Sequence, residues 1–112
     1  GENGGKMTTP FEELAGLDRM IHEPARLAIL TALASCDEAD YLFLQRLTGL
    51  TGGNLSSHLA KLEEEGLVEM DKRFVEKKPN TLIKITDQGK SAITRHWKQL
   101  EELHQSSQKW KP

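Results

Sequence analysis

A mainly α-helical fold of the α+β class is predicted by three features of this 112-residue chain. Residues 44–66, LQRLTGLTGGNLSSHLAKLEEEG, read as a short helix, a tight turn and a second helix. A strand, a lysine-rich loop and a returning strand follow at once, and apolar residues recur at helical spacing before and after this block. That order is the ground plan of a winged helix-turn-helix: a three-helix core with a β-hairpin wing, here with N-terminal and C-terminal helices for dimerisation. The second helix of the pair has the dimensions to enter a major groove, and the loop can reach a flanking backbone.

Each element follows from local chemistry. Residues 1–9 have no apolar periodicity and contain tandem glycines, so a disordered tail is expected there, with residues 10–112 forming the winged domain and its C-terminal dimerisation helix. Pro10 opens a first helix in which Leu14, Leu17 and Ile21 recur, with Glu12 and Glu13 in the turn where the helix dipole favours carboxylates. Glu23 and Pro24 interrupt it. Leu27, Leu30 and Leu33 then mark a second helix ending near Cys36, with Pro24 tolerated in its first turn. Asp37 to Asp40 reads as an acidic loop, and Tyr41 with Leu42 as a very short strand. Phe43, Leu44 and Leu47 give the third helix one apolar face, Gly49 stops it, and Leu50 plugs the gap to the next helix.

Thr51 is the N-cap expected for the fourth helix, and Leu55, Leu59 and Leu62 turn one stripe to the core. At about 100° per residue, Gly53, Asn54, Ser57, Ala60, Lys61 and Glu64 then point outward, with Ser56 and His58 on the flanks. Such a small polar surface suits groove entry, because Asn, Ser, His and Lys offer bonds to base edges and phosphates. Gly52 and Gly53 leave backbone amides open to a phosphate at the helix start, or serve only to shape the turn. Phosphate would repel Glu63, Glu64 and Glu65, so the amino end of this helix must lead. Gly66 closes it. Leu67 to Phe74 is the first wing strand, in which Leu67 or Val68, Met70 and Phe74 make apolar contacts, and Thr81 to Thr86 returns. Between them Val75 to Asn80 forms the wing loop, turning at Pro79 and Asn80. Asp87 caps a long last helix with Ile93, Trp97, Leu100 and His104 in one stripe and Leu103 beside it. From Ser106 the pattern is lost and the end frays, leaving Trp110 able to join an interface. A helix trailing the wing has little of its own domain to cover, so Leu14, Leu17, Ile93, Trp97, Leu100 and His104 are the candidate dimer contacts.

Charge and composition narrow the partners. A content of 37% hydrophobic and 29% charged residues fits one compact domain. No apolar run nears the roughly 18 residues that span a bilayer, and the amino end lacks a signal core, so a cytoplasmic protein without membrane contact is expected. Cys36, the one cysteine, cannot close an intramolecular disulfide. The net charge of −2 counts against nucleic acid, but its distribution matters more. Acidic residues lead by 11 to 5 over residues 1–65, whereas basic residues lead by 10 to 6 over residues 66–112. Between positions 71 and 84, Lys72, Arg73, Lys77, Lys78 and Lys84 oppose only Asp71 and Glu76, so the hairpin carries a local positive field.

The segments EPARLAIL, LTGLTGGNLSSHLAKLEEEGLVE and TLIKITDQGKSA resemble the corresponding parts of the MarR and ArsR group of winged-helix transcriptional regulators, especially its short single-domain members. The likeness covers roughly residues 14–100 and is most specific from Leu50 to Val68. It implies a homodimer that sets two recognition helices, about residues 52–65, in successive major grooves of a pseudo-palindromic operator in double-stranded DNA. Each wing, about residues 75–80, would lie near the adjacent backbone or minor groove. On matching positions Asn54, Ser56, Ser57, His58 and Lys61 belong to the reading helix, and Lys77 and Lys78 to the wing. Many wings of the group carry an arginine at the tip, whereas lysines stand here; they act as point charges and position more than they specify. With Thr51, Gly53, Lys72 and Arg73 these residues form the candidate DNA-binding set.

Other chemistries find less support. Metal sensing of the ArsR type lacks a Cys-x-Cys pair, and only His104 of the last helix's histidines has a carboxylate, Glu101, one turn away. Cys36 has no adjacent cation to make it a redox sensor. His22 has neither nucleophile nor phosphate loop beside it and reads as a helix-junction residue, so neither enzyme activity nor a cofactor is expected. Two alternative roles stand beside the regulator: a winged helix used for protein–protein contact, and a MarR-type sensor with a small phenolic or lipophilic effector between the dimer helices and the winged domain. The latter would have to manage without the second long dimer helix of full-sized MarR proteins.

Overall fold

The computed structural model describes residues 8–112. Its elements are α1 (Pro10–Ala15), α2 (Pro24–Cys36), β1 (Glu38–Asp40), α3 (Tyr41–Thr48), α4 (Gly52–Glu64), β2 (Val68–Val75), β3 (Lys78–Ile85) and α5 (Asp87–Lys109). The three strands form one antiparallel sheet in the order β1-β3-β2. This is a winged helix: α2, α3 and α4 with a hairpin wing. Ile29, Leu30 and Leu33 of α2 close on Leu44 of α3, Leu55, Leu59 and Leu62 of α4, Val68, Ile83 and Ile93. At about 1.5 to 3 kcal/mol for each fully buried aliphatic side chain, this cluster is the main source of stability. No helix among the described residues is long and apolar enough to cross a membrane.

The helical expectations for α2 and α4 hold closely, as do the caps expected at Gly49, Thr51 and Gly66. Thr51 Oγ1 accepts from Asn54 N, Gly49 takes the left-handed conformation after α3 (φ 71°), Gly66 does so after α4 (φ 76°), and Leu50 packs against the core from the turn. Elsewhere the structure corrects the reading. The expected tail falls mostly outside the described residues, but Thr9, its last residue, caps α1 by accepting from Glu12 N. α1 stops at Gly16, so Leu17 and Ile21 are buried from an irregular segment and not from a helix face.

The acidic stretch expected as a loop is strand β1, and Tyr41 starts α3 with Asp40 as its N-cap. Ala39 points inward opposite Ile83, and Glu38 stands opposite Lys84, an opposite-charge pair of the kind that favours such pairing. Of the expected apolar face of α3 only Leu44 is fully buried, while Phe43 and Leu47 are about half exposed. The wing turn is shorter than expected: Glu76 and Lys77, both at positive φ, join strands that pair from Val68↔Ile85 to Val75↔Lys78. Positive φ at both central residues gives a turn whose twist matches the flanking strands, so Lys78, Pro79 and Asn80 are free to lie within β3.

The last helix also differs. Thr86, not Asp87, caps α5, its Oγ1 accepting from Gly89 N at 2.9 Å and donating to Gly66 O at 2.7 Å. α5 does not fray at Ser106 but continues to Lys109, and Trp110 packs edge-on against Phe11 with ring centroids 5.5 Å apart. α1 thus folds back along α5, which also packs on α2 and is tied to its end by the Lys90–Asp37 ion pair. Leu17 and Ile93, proposed dimer contacts, are therefore buried by the chain itself.

Candidate nucleic-acid interface

The helix-turn-helix is held by bonds that sequence spacing alone does not reveal. Tyr41, at the start of α3, donates its hydroxyl to Gly52 O at 2.6 Å, so Ser56 Oγ donates in turn to Tyr41 Oη at 2.7 Å. This clamp fixes the amino end of α4 against α3. Thr48 Oγ1 donates to Leu44 O at 2.9 Å and steadies the turn. Residues expected to face a groove thereby divide into two groups. Gly53, Asn54, Ser57 and Lys61 are exposed, as are Lys72, Arg73, Lys77 and Lys78 on the hairpin. Thr51 and Ser56 are exposed too, but their hydroxyls serve the cap and the clamp.

His58 departs most from expectation. Its side chain is only 20% exposed and turns towards α2, where Arg26 Nη1 donates to His58 Nδ1 at 3.2 Å and Glu23 Oε1 lies 3.9 Å away. A guanidinium only donates, so this ring carries its proton on Nε2. Arg26 is itself buried, with Nε bonded to Met20 O at 2.6 Å and Nη2 to Arg19 O at 3.2 Å. Glu23 accepts from Arg26 N at 2.9 Å. Burial would raise the Glu23 carboxyl, but the backbone bonds from Arg26 and Ala25 and the charge of Arg26 outweigh it and hold the group below its ordinary value. His58 therefore couples α4 to the 17–23 segment. The helical wheel put it on a flank; Arg26, 32 residues earlier, draws it inward. The one signal in the sequence was an arginine inside an otherwise apolar helix, three residues after the capping Glu23.

The same segment contacts α5. His22 Nδ1 and His96 Nε2 lie 2.9 Å apart, and His96 is buried. Burial first, and His22 second, push the His96 pKa below the ordinary histidine value against an upward pull from Asp18. The unfolded chain therefore binds more protons than the folded one between the folded pKa and about 6.5. Stability is full above this window and falls as pH drops through it, by at most about 1.4 kcal/mol per pH unit for one proton. Urea midpoints measured from neutral to mildly acidic pH are expected to show that slope, and His96→Gln to flatten it. An equal slope in both proteins removes His96 as its cause. Beside the pair, a cleft of about 490 Å³ opens between the 17–23 segment, the end of α4 and α5, with Ile21, Leu67 and Ala92 among its apolar walls and Gln88, Arg95 and His96 among its polar ones.

Of the remaining dimer candidates, Trp97 is 45% exposed while its Nε1 donates to Thr31 Oγ1 at 3.0 Å. Leu14 and Leu100 are half-buried and His104 is exposed.

A three-helix core, an uncovered polar start to the second helix of the pair and a cationic hairpin define the class of winged helix DNA-binding proteins. The chain belongs to the winged helix DNA-binding domain family, whose model matches residues 25–104. It is similar to an uncharacterized HTH-type transcriptional regulator of Bacillus subtilis, with 32% identity over 91 residues, 81% of this chain. The chain spans about half of that relative, 52% of its length. Among solved structures, a transcriptional regulator homologue from Pyrococcus horikoshii superposes with a TM-score of 0.78 at 30% identity, over 86% of this chain and 94% of that one. A MarR-family regulator from Silicibacter pomeroyi shares the fold at 19% identity, with a TM-score of 0.62 over 85% of this chain and 61% of its own. The resemblance read from residues 14–100 is thus to the right group, one of transcriptional regulators and not of enzymes.

Proposed function

We propose that the chain is a cytoplasmic, homodimeric regulator that binds double-stranded DNA with sequence preference, α4 entering the major groove and the wing lying on the flanking backbone or minor groove. The observation that carries this reading is the surface of α4. Gly53, Asn54, Ser57 and Lys61 are exposed, and the side chains of Asn54, Ser57 and Lys61 take no part in the hydrogen bonds that hold the described residues together. The exposed hairpin cations supply the phosphate contacts that a chain of net charge −2 would otherwise lack. Trp97, half exposed on α5, supports self-association of that helix into a dimer on a pseudo-palindromic operator.

The test is a salt titration on duplexes selected from a random-sequence pool, with sedimentation equilibrium of the free protein. Binding is expected to weaken steeply with salt, and Lys77→Ala with Lys78→Ala to weaken every duplex alike and lower the slope by about two. Asn54→Ala is expected to shift preference among sequences by about 1 to 3 kcal/mol. Flat salt dependence would favour the protein-contact role, and a monomer that stays monomeric on DNA would remove the dimer. The cleft beside His96 favours a second reading, that of a ligand-responsive sensor, through its apolar walls and convergent Arg95 and Gln88. Small phenolic acids added to the same titration lower DNA affinity if this is so, and leave it unchanged if it is not.

A further inference from the structure

Phe74 is 76% exposed, more than any other large hydrophobic side chain among the described residues, although the strand pattern counts it with Met70 among the apolar contacts. The reason is length. Val68 is buried and Met70 half-buried on the sheet face that packs against α4, but the hairpin continues, and Phe74 sits four residues, about 13 Å, beyond Met70 on the same face. Opposite it in register stands Pro79, so the wing ends in a paired phenyl and pyrrolidine ring. Proline is allowed there because β1 covers β3 only from Leu82 to Lys84, leaving an edge at residue 79 that needs no further donor. Pairing runs to the last residue before the two-residue turn, so both rings ride on a ribbon and not on a slack loop. Lys72 lies two residues back on the same face, Lys77 stands in the turn at the tip, and Arg73 and Lys78 lie on the other face, Lys78 beside the turn. Only Asp71 and Glu76 oppose them locally.

An exposed apolar pair could in principle meet another protein or a second copy of this chain. The ring of cations around it fits a polyanion instead. We infer that Phe74 and Pro79 form an apolar wedge that enters the minor groove of bound duplex DNA and opens one base step, while Lys72, Lys77 and Lys78 hold the phosphates on either side. The inference rests on the DNA-binding reading above. Side chains of this type, pressed between base pairs, unstack them and kink the duplex towards the major groove. Pyrimidine–purine steps unstack most easily, so the wedge adds a preference for TA or CA at the wing position without any hydrogen bond to a base. This gives specificity to a wing that has lysines and no arginine at its tip.

The experiment uses the full chain and selected duplexes about 30 base pairs long, enough for two half-sites. Each carries 2-aminopurine at the wing step or a donor and an acceptor dye at its ends. Wild type is expected to raise 2-aminopurine fluorescence and shorten the end-to-end distance. Phe74→Ala should abolish both changes and lose about tenfold in affinity for a duplex with TA at the wing step, with the salt slope unchanged. Phe74→Leu, still a wedge, should keep most of the bend. Because Phe74 lies outside the core, these variants fold, and their unfolding midpoints check it. Salt-dependent binding by wild type to a straight, fully stacked duplex overturns the wedge alone. Failure of wild type to bind any selected duplex overturns the DNA reading and the wedge with it. A Phe74→Ala protein that bends DNA normally but sediments at a lower mass assigns the ring to self-contact and also overturns the wedge.

Discussion

Gly89→Ala is expected to destabilise the fold by roughly 3 kcal/mol or more, the upper end of what overpacking costs. Gly89 lies in the first turn of α5, where alanine is intrinsically the better residue by about 1 kcal/mol, so a loss of stability would have to come from packing. A β-carbon there would stand 2.1 Å from Leu67 O, 3.1 Å from Leu67 C and 2.9 Å from Ile85 Cγ1. Leu67 O cannot retreat easily, since it accepts from Thr86 N at 3.1 Å in the junction that joins β3 to α5. α5 would have to lift away, loosening Ala92 and Ile93 from the core and His96 from His22. Gly53→Ala is the matched control, because nothing lies within 4 Å of its added carbon and the helix should gain about 0.5 to 1 kcal/mol. Urea midpoints that move the same way in both variants would contradict the packing argument.

The contrast between these two glycines shows what the sequence discloses and what it hides. Leu30, Leu33, Leu55, Leu59 and Leu62 were legible because a single helix with one buried face writes its own period, and Thr51 and Gly49 because capping is local chemistry. β1 was not legible: three residues, two of them acidic, become a strand only because β3 arrives some 45 residues later with Ile83 and Lys84 in register. The wing turn was misread because Pro79 and Asn80 are strong turn formers, while Glu76 and Lys77 are not. Pairing along the whole hairpin overrode that preference. At the candidate interface, the outward set Gly53, Asn54, Ser57 and Lys61 followed from angular geometry and stands. His58 failed because its environment is set by Arg26 and Glu23 on another helix, and no periodicity within α4 carries that information. The dimer face suffered likewise, since the folding back of α1 on α5, seen in the Phe11–Trp110 contact, is a long-range event.

Arg26→Met is expected to cost about 3 kcal/mol and to weaken duplex binding although Arg26 is only 9% exposed and belongs to α2, not to the groove-facing helix. Methionine fills a similar volume, so the loss is one of bonds: Met20 O, Arg19 O and His58 Nδ1 would each lose a charged donor. Unsatisfied buried acceptors cost about 1 to 3 kcal/mol apiece, and partial access to solvent keeps the total near the lower bound of their sum. Arg26→Lys should recover less than half, because a single ammonium group cannot reach three acceptors set out for a planar fork. The functional consequence runs through His58. With its partner gone, the ring no longer ties the middle of α4 to the 17–23 segment, and the exposed Asn54 and Ser57 are presented less uniformly. His58→Ala is then expected to lower affinity for all duplexes alike, whereas Asn54→Ala changes the order of preference among them. If His58→Ala instead reorders that preference while leaving the unfolding midpoint untouched, the ring reads bases directly and the coupling assigned to Arg26 is wrong.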